Sequence, residues 1–264
     1  MFSKRKKGKE IEVREDGLTD YNQYVMSQKE KLFYVIIAMA VLFVIGYIFY
    51  HNIILSGILM ILGVKFPALR TKQIIAKRKK QLTIQFKDML YSLSSALSVG
   101  KSVEMGLRDC LKDLEIIYPD SDTDIIVEIE YILRGIGMNT PTEAMFRQFA
   151  DRSHIEDIEN FVDVFITCKR TGGDIIEVIR STSNTIGDKI EIKQEIDTLI
   201  SGKKYEFQFL MVMPVAMVFV LSTTAADYMV PVFTTVIGRI MMTIAIAIFI
   251  IAYFVGSKIM NIEI

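Results

Sequence analysis

The sequence has little of what most enzymes and nucleic-acid-binding proteins depend on. Its 264 residues include only two cysteines and two histidines. Both cysteines, Cys110 and Cys168, lie on apolar helical stripes, which favours buried small side chains over reactive thiols. The 31 Lys and Arg residues are matched by 31 Asp and Glu residues, and a formal net charge of zero argues against a general nucleic-acid-binding surface. Charge is also scarce locally, because four stretches contain almost no ionisable side chain.

These uncharged stretches are long enough to compare with the thickness of a membrane. A bilayer core of about 30 Å requires about 20 helical residues. Three stretches approach or reach that length, namely residues 32–50, 207–226 and 240–256. The fourth, residues 53–64, is short unless residues 66–69 are included and Lys65 extends toward the lipid headgroups. About four transmembrane helices are therefore predicted, the first two forming a hairpin that turns at His51 and Asn52.

Basic residues near the ends of these stretches predict which side of the membrane each segment faces. Seven basic residues and no acidic one lie between Lys65 and Lys80, and the N-terminal arm is also basic. Because Lys and Arg resist translocation, the N-terminus, the central block and the C-terminus are all expected in the cytoplasm. The protein is thus predicted to be a multi-pass protein of the cytoplasmic (inner) membrane. A basic cluster is interpreted as a topology and anionic-lipid signal in preference to a specific protein site; it comprises Lys77, Arg78, Lys79 and Lys80.

The predicted organisation has five parts. They are a basic cytoplasmic arm (1–31), a transmembrane hairpin (32–69), a cytoplasmic helical domain (70–206), a transmembrane pair (207–256) and a cytoplasmic tail (257–264). The central domain repeats apolar residues at helical spacing, and no segment of it alternates convincingly as a strand. The predicted fold class is therefore an all-α integral membrane protein with a cytoplasmic helical bundle.

The helical domain shows an internal similarity. Residues 100–107 and residues 172–179 both read as a glycine stop, a short polar cap and a new helix with apolar residues at matching offsets. This similarity predicts two related helix-hairpin modules, at about residues 82–135 and 140–204. Two unrelated helix hairpins would show the same pattern, so period alone leaves duplication and coincidence equally open.

Helix boundaries are marked by glycine stops and polar caps. Thr140 is expected to supply an N-cap hydroxyl, with Pro141 at the first helical position and Glu143 bonding back, and Ser153 is expected to begin a second such capping box. The complete set of predicted stops and caps is Gly100, Ser102, Thr140, Pro141, Ser153, Gly172, Gly173 and Asp174. The helix after Asp174 is expected to run toward the third apolar stretch, which suggests that it couples the helical domain mechanically to the membrane.

Each catalytic possibility fails at a specific residue. Residues 100–102 resemble the end of a phosphate-binding loop, but Ser95 stands where that motif requires glycine. Aspartates at 120, 122 and 124 have the spacing of calcium ligands, but Ile125 replaces the required turn glycine. The two histidines are predicted on opposite sides of the membrane, which excludes a joint site. The chain is expected not to be an enzyme and to have no catalytic, metal-binding or cofactor-binding residue.

Several short motifs follow one another over about two-thirds of the chain. They are Phe86–Leu90, Ala96–Ser102, Pro141–Met145 and Cys168–Val178, then Pro214 within the third apolar stretch, Ala226–Pro231 after it and Gly238–Arg239 before the fourth. In this order and spacing the chain resembles the type II secretion system F domain family, specifically the TadB/TadC-like proteins of tight-adherence (Flp) pilus assembly. Gly106 stands where that family usually has alanine, which is a minor departure.

The resemblance implies a platform protein of the cytoplasmic membrane in a type IV-like (Tad/Flp) pilus or type II secretion machine. Such a protein couples a cytoplasmic hexameric ATPase to the insertion or extraction of pilin subunits. The implied partners are that ATPase, pilins, membrane lipids and a homologous TadC-like platform protein or a second copy, with no nucleic acid. The family offers no transferable catalytic motif and implies no cofactor.

Two other classes remain open at this stage. One is a small transporter or permease subunit, which would be indicated by a water-filled cavity among the spans. The apolar stretches argue against it, because only Pro214 interrupts one of them and ionisable residues are nearly absent. The other is a membrane-anchored regulatory scaffold of the same fold, such as a sporulation-type relative.

Overall fold

The computed structural model describes residues 19–260, and all the secondary-structure elements in that range are helices. Most of the arm predicted for residues 1–31 and the end of the tail predicted for residues 257–264 lie outside the described residues. Within residues 19–260 there are ten α-helices and one 3₁₀ turn, Leu62–Lys65. The helices are α1 (Gln28–Tyr50), α2 (Ile53–Ile61), α3 (Phe66–Ser98), α4 (Val103–Ile117), α5 (Asp124–Gly137), α6 (Thr142–Ser153), α7 (Glu156–Thr171), α8 (Ile175–Thr224), α9 (Ala226–Thr234) and α10 (Val236–Met260). The all-helical prediction is confirmed.

The described residues divide into two compact units. The first, called the bundle below, comprises residues 19–26 and Thr71–Ile192. The second, called the apolar unit, comprises Ser27–Arg70 and residues 193–260. Helices α3 and α8 each contribute residues to both units.

The core of the bundle is built on one apolar stripe of α3. Leu82, Phe86, Met89, Leu90 and Leu93 recur at helical spacing and are all 0% exposed, as the sequence pattern predicted. Phenylalanines from α3, α6 and α7 pack around this stripe with ring centroids 5.2–6.0 Å apart, mostly tilted or edge to face. Such rings bury large apolar areas, so this cluster is expected to supply much of the bundle's stability.

The apolar unit contains three helices that are long and apolar enough to cross a membrane: α1, the later part of α8, and α10. Their side chains are largely exposed, which in lipid would be the favourable state for them. Residues of these helices and of α2 form a small cluster around Phe49, Tyr50 and Ile246. The membrane prediction is thus supported at the level of three candidate spans.

The fourth predicted span does not form a single long helix. Residues 53–69 are divided among α2, the 3₁₀ turn and the first turn of α3. Pro67 explains the break, because a proline inside a continuous helix would clash with the carbonyl of Gly63 and could not donate a hydrogen bond. At the start of a new helix the missing N–H costs little. Gly63 also lies close to α1, since a Cβ there would be 3.1 Å from the Met39 nitrogen.

Helix α8 is longer than the sequence suggested. The helix expected after Asp174 and the third apolar stretch are one helix of 50 residues, with Pro214 inside it. It begins with side chains in the bundle core, such as Ile179 at 0% exposure, and continues into the apolar unit.

Candidate functional site

The two predicted glycine turns have the same local geometry. Gly100 and Gly172 both adopt left-handed backbone conformations, with φ of +83° and +73°, which favour glycine because it has no Cβ. Two residues later a polar side chain caps the next helix. Ser102 Oγ accepts from the Met105 N–H at 3.3 Å, and Asp174 Oδ1 accepts from the Ile176 and Glu177 N–H groups at 2.9 and 3.1 Å.

Gly173 is required for a different reason from Gly172. Its N–H donates to the Cys168 carbonyl at 2.9 Å, closing the end of α7. A Cβ at Gly173 would lie 2.8 Å from the Cys168 sulfur, whereas a Cβ at Gly172 would meet open space. Gly172 is therefore constrained by its backbone conformation and Gly173 by a close neighbour.

Two of the predicted caps are placed differently in the structure. Helix α6 begins at Thr142 with Pro141 in the cap position, and no side chain caps it. Thr140 instead belongs to the end of α5, where its N–H donates to the Gly135 carbonyl at 3.0 Å. Glu143 does not bond back to the cap; it forms an ion pair with Lys169 of α7 at 2.8 Å.

The capping box predicted at Ser153 is likewise not formed as expected. Ser153 is the last residue of α6, His154 follows in the left-handed conformation, and Ile155 precedes α7. The Ser153 hydroxyl donates to the Ala150 carbonyl at 2.9 Å and accepts from the Ile155 N–H at 3.3 Å. It therefore stabilises the turn between two helices and does not cap the second.

Two members of the basic cluster at residues 77–80 are committed to contacts inside the bundle. Arg78 donates to both carboxylate oxygens of Asp124, at 2.9 and 2.5 Å. Lys79 donates to Asn22 Oδ1 at 2.8 Å and to the His154 carbonyl at 3.1 Å. These contacts place the charges of Arg78 and Lys79 on protein groups. The interpretation of the cluster as a topology and anionic-lipid signal stays a prediction. Lys77 and Lys80 are exposed.

The contacts of Arg78 and Lys79 lead to a polar site that the sequence did not reveal. Tyr21, 1% exposed, inserts into the bundle and donates its hydroxyl to Glu128 Oε1 at 2.9 Å. The guanidinium of Arg78 lies 4.8 Å from the centre of the Tyr21 ring, within the range of a cation–π interaction. We call the groups around this ring, from Arg78, Asp124, Glu128 and Arg152, the Tyr21 pocket.

Glu128 and Arg152 form a buried ion pair at the base of the pocket. Their side chains are 1% and 5% exposed, and Arg152 Nη2 donates to Glu128 Oε2. Burial raises the pKa of Glu128, while the Arg152 charge and the Tyr21 hydroxyl oppose that rise. Burial and the nearby Glu128 carboxylate raise the pKa of Tyr21 well above its ordinary value. Tyr21 therefore remains a hydrogen-bond donor at neutral pH.

A signal for this pair was present in the sequence. Glu128 lies three residues after Ile125 on the apolar face of α5, and Arg152 lies three residues after Phe149 on the apolar face of α6. Charges of opposite sign on the buried faces of neighbouring helices are costly unless they pair. Tyr21 had no comparable signal, because it precedes the first helix in a segment without periodicity.

The remaining candidate groups are occupied or inert. Cys110 and Cys168 are free cysteines, and both are buried. Their burial confirms the prediction that they are small side chains of the core. Burial raises the pKa of the Cys110 thiol to about 12, so it is unreactive at neutral pH. Among residues 19–260, no group of three or more His, Cys, Asp or Glu side chains is placed to hold a metal ion.

The apolar unit contains one cleft of interest, near the turns that join its helices. It encloses about 430 Å³ and is lined by Tyr50, Leu55, Val236, Arg239, Ile240, Thr243 and Ile244. Its hydroxyl groups are paired with each other, Tyr50 Oη lying 3.0 Å from Thr243 Oγ1. Arg239 is exposed and donates through Nε to the Phe233 carbonyl at 3.1 Å. An open, largely apolar cleft at the helix ends is not the polar passage that a transport route requires.

No protein-family model, curated protein or solved structure matches this chain.

Proposed function

We propose that the chain is a platform protein of the cytoplasmic membrane in a type IV-like (Tad/Flp) pilus or type II secretion machine. In this role it couples a cytoplasmic assembly ATPase to the insertion or extraction of pilin subunits. The ordered motifs from Phe86 onward support the family. The architecture, an all-helical bundle between apolar helices, suits an anchored scaffold.

The proposal requires four membrane crossings, and the helix packing of residues 27–70 supports the fourth. Taken end to end, the helical rise of residues 53–69 is about 28 Å, close to a bilayer core of about 30 Å. The two arms of this hairpin meet through small residues. A Cβ on Gly46 would lie 3.0 Å from the Ser56 Cα, and one on Gly63 would lie 3.3 Å from the Ala38 carbonyl carbon. Close packing through small residues is typical of helices that associate within a bilayer.

The orientation follows from charge. The hairpin turn at residues 51–52 has no Lys or Arg, whereas basic residues are frequent from Lys65 to Lys80 and recur at Lys203, Lys204 and Lys258. The bundle and both termini are therefore proposed to lie in the cytoplasm.

The observation that carries the mechanical part of the proposal is the continuity of α8. Its 50 residues form one helix from the bundle core at Ile179 to the apolar segment that ends at Thr224. A continuous helix resists bending far better than a loop, so it can pass a displacement of the bundle to the membrane. Two buried charges of the bundle, Glu128 and Arg152, are paired with each other, which suits a structural role.

The test is crosslinking in the native cells, followed by affinity purification of the tagged full chain in mild detergent and mass spectrometry. We expect a hexameric secretion-type ATPase, a second platform protein or pilins to be recovered. Recovery of none of these, together with a solute-dependent increase in thermal stability, would instead support a transporter.

A pair of variants at one position tests the coupling. Lys193→Pro interrupts α8 immediately after the bundle's last residue, whereas Lys193→Ala preserves the helix. Both variants should still bind the ATPase through the bundle. Only Lys193→Pro should lose fibre assembly or secretion, and normal assembly by that variant would contradict mechanical coupling through α8.

A further inference from the structure

The cleft in the apolar unit has a single charged residue in its lining. Arg239 is the only Lys or Arg in residues 32–64 and 207–256, and the other side chains around the cleft are uncharged. Its Nε donates to the Phe233 carbonyl, and both of its Nη groups lack a partner among the described residues. Because guanidinium N–H groups bind phosphate and carboxylate oxygens well, these Nη groups are suited to an anionic ligand.

The two hydroxyl groups of the cleft are already committed to protein contacts. The Thr243 hydroxyl donates to the Arg239 carbonyl at 2.8 Å. Its one proton is thereby used, so the Tyr50 hydroxyl, 3.0 Å away, must be the donor to Thr243 Oγ1. These bonds join α1 to α10 and leave no hydroxyl proton for a ligand. Among the side chains that line the cleft, Arg239 alone can therefore donate to an anion.

The apolar wall of the cleft lies deeper along the same helix. Arg239 is in the first turn of α10, and Ile240 and Ile244 line the cleft beyond it. Ile244 is about 7.5 Å further along the helix axis than Arg239. The volume of about 430 Å³ lies within the range of about 300–1,000 Å³ that is typical of sites for small ligands. A charged head at Arg239 and an apolar tail along the wall would fit this arrangement, whereas free phosphate would not need the wall.

The charge of the lining selects among such amphiphiles. No acidic side chain lines the cleft, so a zwitterionic headgroup gains nothing there from its ammonium group. A headgroup with a net negative charge is attracted by the guanidinium without a compensating repulsion. Basic pockets between transmembrane helices bind anionic lipid headgroups for this reason.

We propose that the cleft is a binding site for an anionic phospholipid. Arg239 holds the phosphate, and an acyl chain lies along Leu55, Ile240 and Ile244. In the proposed orientation the site opens to the outer leaflet, on the opposite side of the membrane from the basic cluster at residues 77–80. Such a site needs only that the apolar unit lies in a bilayer, and it is independent of any role in pilus assembly or secretion.

The first test is photo-crosslinking of the delipidated full chain in detergent with lipids that carry a diazirine in the acyl chain. At lipid concentrations below saturation, phosphatidylglycerol should give about fivefold more adduct on residues 240–244 than phosphatidylcholine, because one basic residue near a membrane attracts an anionic lipid by about that factor. Mapping the adducts to this segment separates the cleft from every other lipid contact. Equal adduct yields from the two lipids on this segment would overturn the proposal.

A pair of variants assigns the preference to Arg239. Arg239→Gln should remove the difference between the two lipids at residues 240–244. Lys258→Gln is the matched control, because it removes the same charge from the last turn of α10, and it should keep the difference. An equal preference in the two variants would overturn the proposal. If Arg239→Gln does not fold, the comparison of the two lipids on the wild type decides.

The second test identifies the occupant in native membranes and separates a lipid from other sources of an anion. A photoreactive amino acid in place of Ile244, which is 50% exposed, should form adducts with the mass of an anionic phospholipid. Adducts with a protein segment and none with lipid would overturn the proposal. In detergent, glycerol phosphate at the concentration of the phosphatidylglycerol probe should not compete with it, and competition would show that the site binds a free phosphate group and not a lipid.

Discussion

At the level of single residues, Glu128 and Arg152 place two opposite charges inside the bundle. Both side chains are almost fully buried, and each is needed mainly because the other is present. Loss of one partner leaves an uncompensated charge, whereas loss of both leaves an apolar site of similar volume. Because the Tyr21 hydroxyl also bonds to Glu128, the single and double variants of the pair are best compared in a Tyr21→Phe background.

In that background, Arg152→Met alone should lower the free energy of unfolding by about 3–5 kcal/mol. Adding Glu128→Leu should recover at least half of the loss. Urea unfolding followed by circular dichroism or by exchange of the α5 amides measures both values. If the loss of unfolding free energy in the double variant equals the sum of the losses caused by Arg152→Met alone and by Glu128→Leu alone, the ion pair is not coupled, and the account is contradicted.

Gly172 tests the left-handed helix end. Its φ of +73° is unfavourable for any residue with a Cβ, so Gly172→Ala should destabilise the bundle by about 1 kcal/mol. Gly137, at the end of α5, is the matched control, since its φ is not positive and a Cβ there would meet open space. Gly137→Ala should be neutral or slightly stabilising. Thermal unfolding of the two variants side by side gives the comparison, and equal effects would contradict the assignment.

The ion pair of Glu143 and Lys169 gives a dependence on pH. The Lys169 ammonium lowers the pKa of Glu143 below its ordinary value of 4.5. A lowered folded-state pKa stabilises the fold above the unfolded value, and this contribution is lost as the pH falls through the folded value. The wild type should therefore lose more stability than Glu143→Gln between about pH 5 and pH 3. Parallel melting curves for the two proteins across that range would refute the contribution.

At the level of elements, the hairpin of α1 and α2 depends on glycine at one face and not at another. A Cβ on Gly46 would press against the backbone of Ser56 at 3.0 Å, whereas one on Gly57 would meet nothing within 4 Å. Gly46→Val should separate the two helices and lower the thermal stability of the protein in detergent, while Gly57→Val should not. Fluorescence-detected size-exclusion chromatography after heating distinguishes the two outcomes, and equal melting temperatures would show that the close approach is unimportant.

The positions of helices were predictable where only one helix face can bury the apolar side chains. The stripe from Leu82 to Leu93 repeats at helical spacing, and only one face of α3 can bury it. The residue that caps each helix was harder to predict, because several polar residues compete for each turn. Thr140 bonds into the end of α5, which moves the start of α6 by a residue, and Ser153 bonds to the turn it ends.

The break in residues 53–69 shows a different limit. The composition of residues 53–69 predicts that they lie in a membrane, but it does not say whether they form one continuous helix. Here Pro67 interrupts the helix.

For the whole molecule, the layout was predictable and the long-range contacts were not. Uncharged stretches of helical length predict apolar helices at both ends of a polar helical block. Tyr21 and Glu128 are 107 residues apart, and such a contact leaves no trace in local periodicity. The polar site of the bundle, unlike its helical fold, was therefore visible only in the structure.

The central claim is that four crossings place the bundle in the cytoplasm. Single cysteines at exposed positions test it in right-side-out membrane vesicles with a membrane-impermeant maleimide, because the native Cys110 and Cys168 are buried. Ile53→Cys and Val236→Cys, both 70% exposed or more at the predicted outer turns, should be labelled in intact vesicles. Lys112→Cys, in the bundle with a 74% exposed side chain, should be labelled only after the vesicles are opened. Labelling of Lys112→Cys in intact vesicles, or of Ile53→Cys only after opening, would contradict the account.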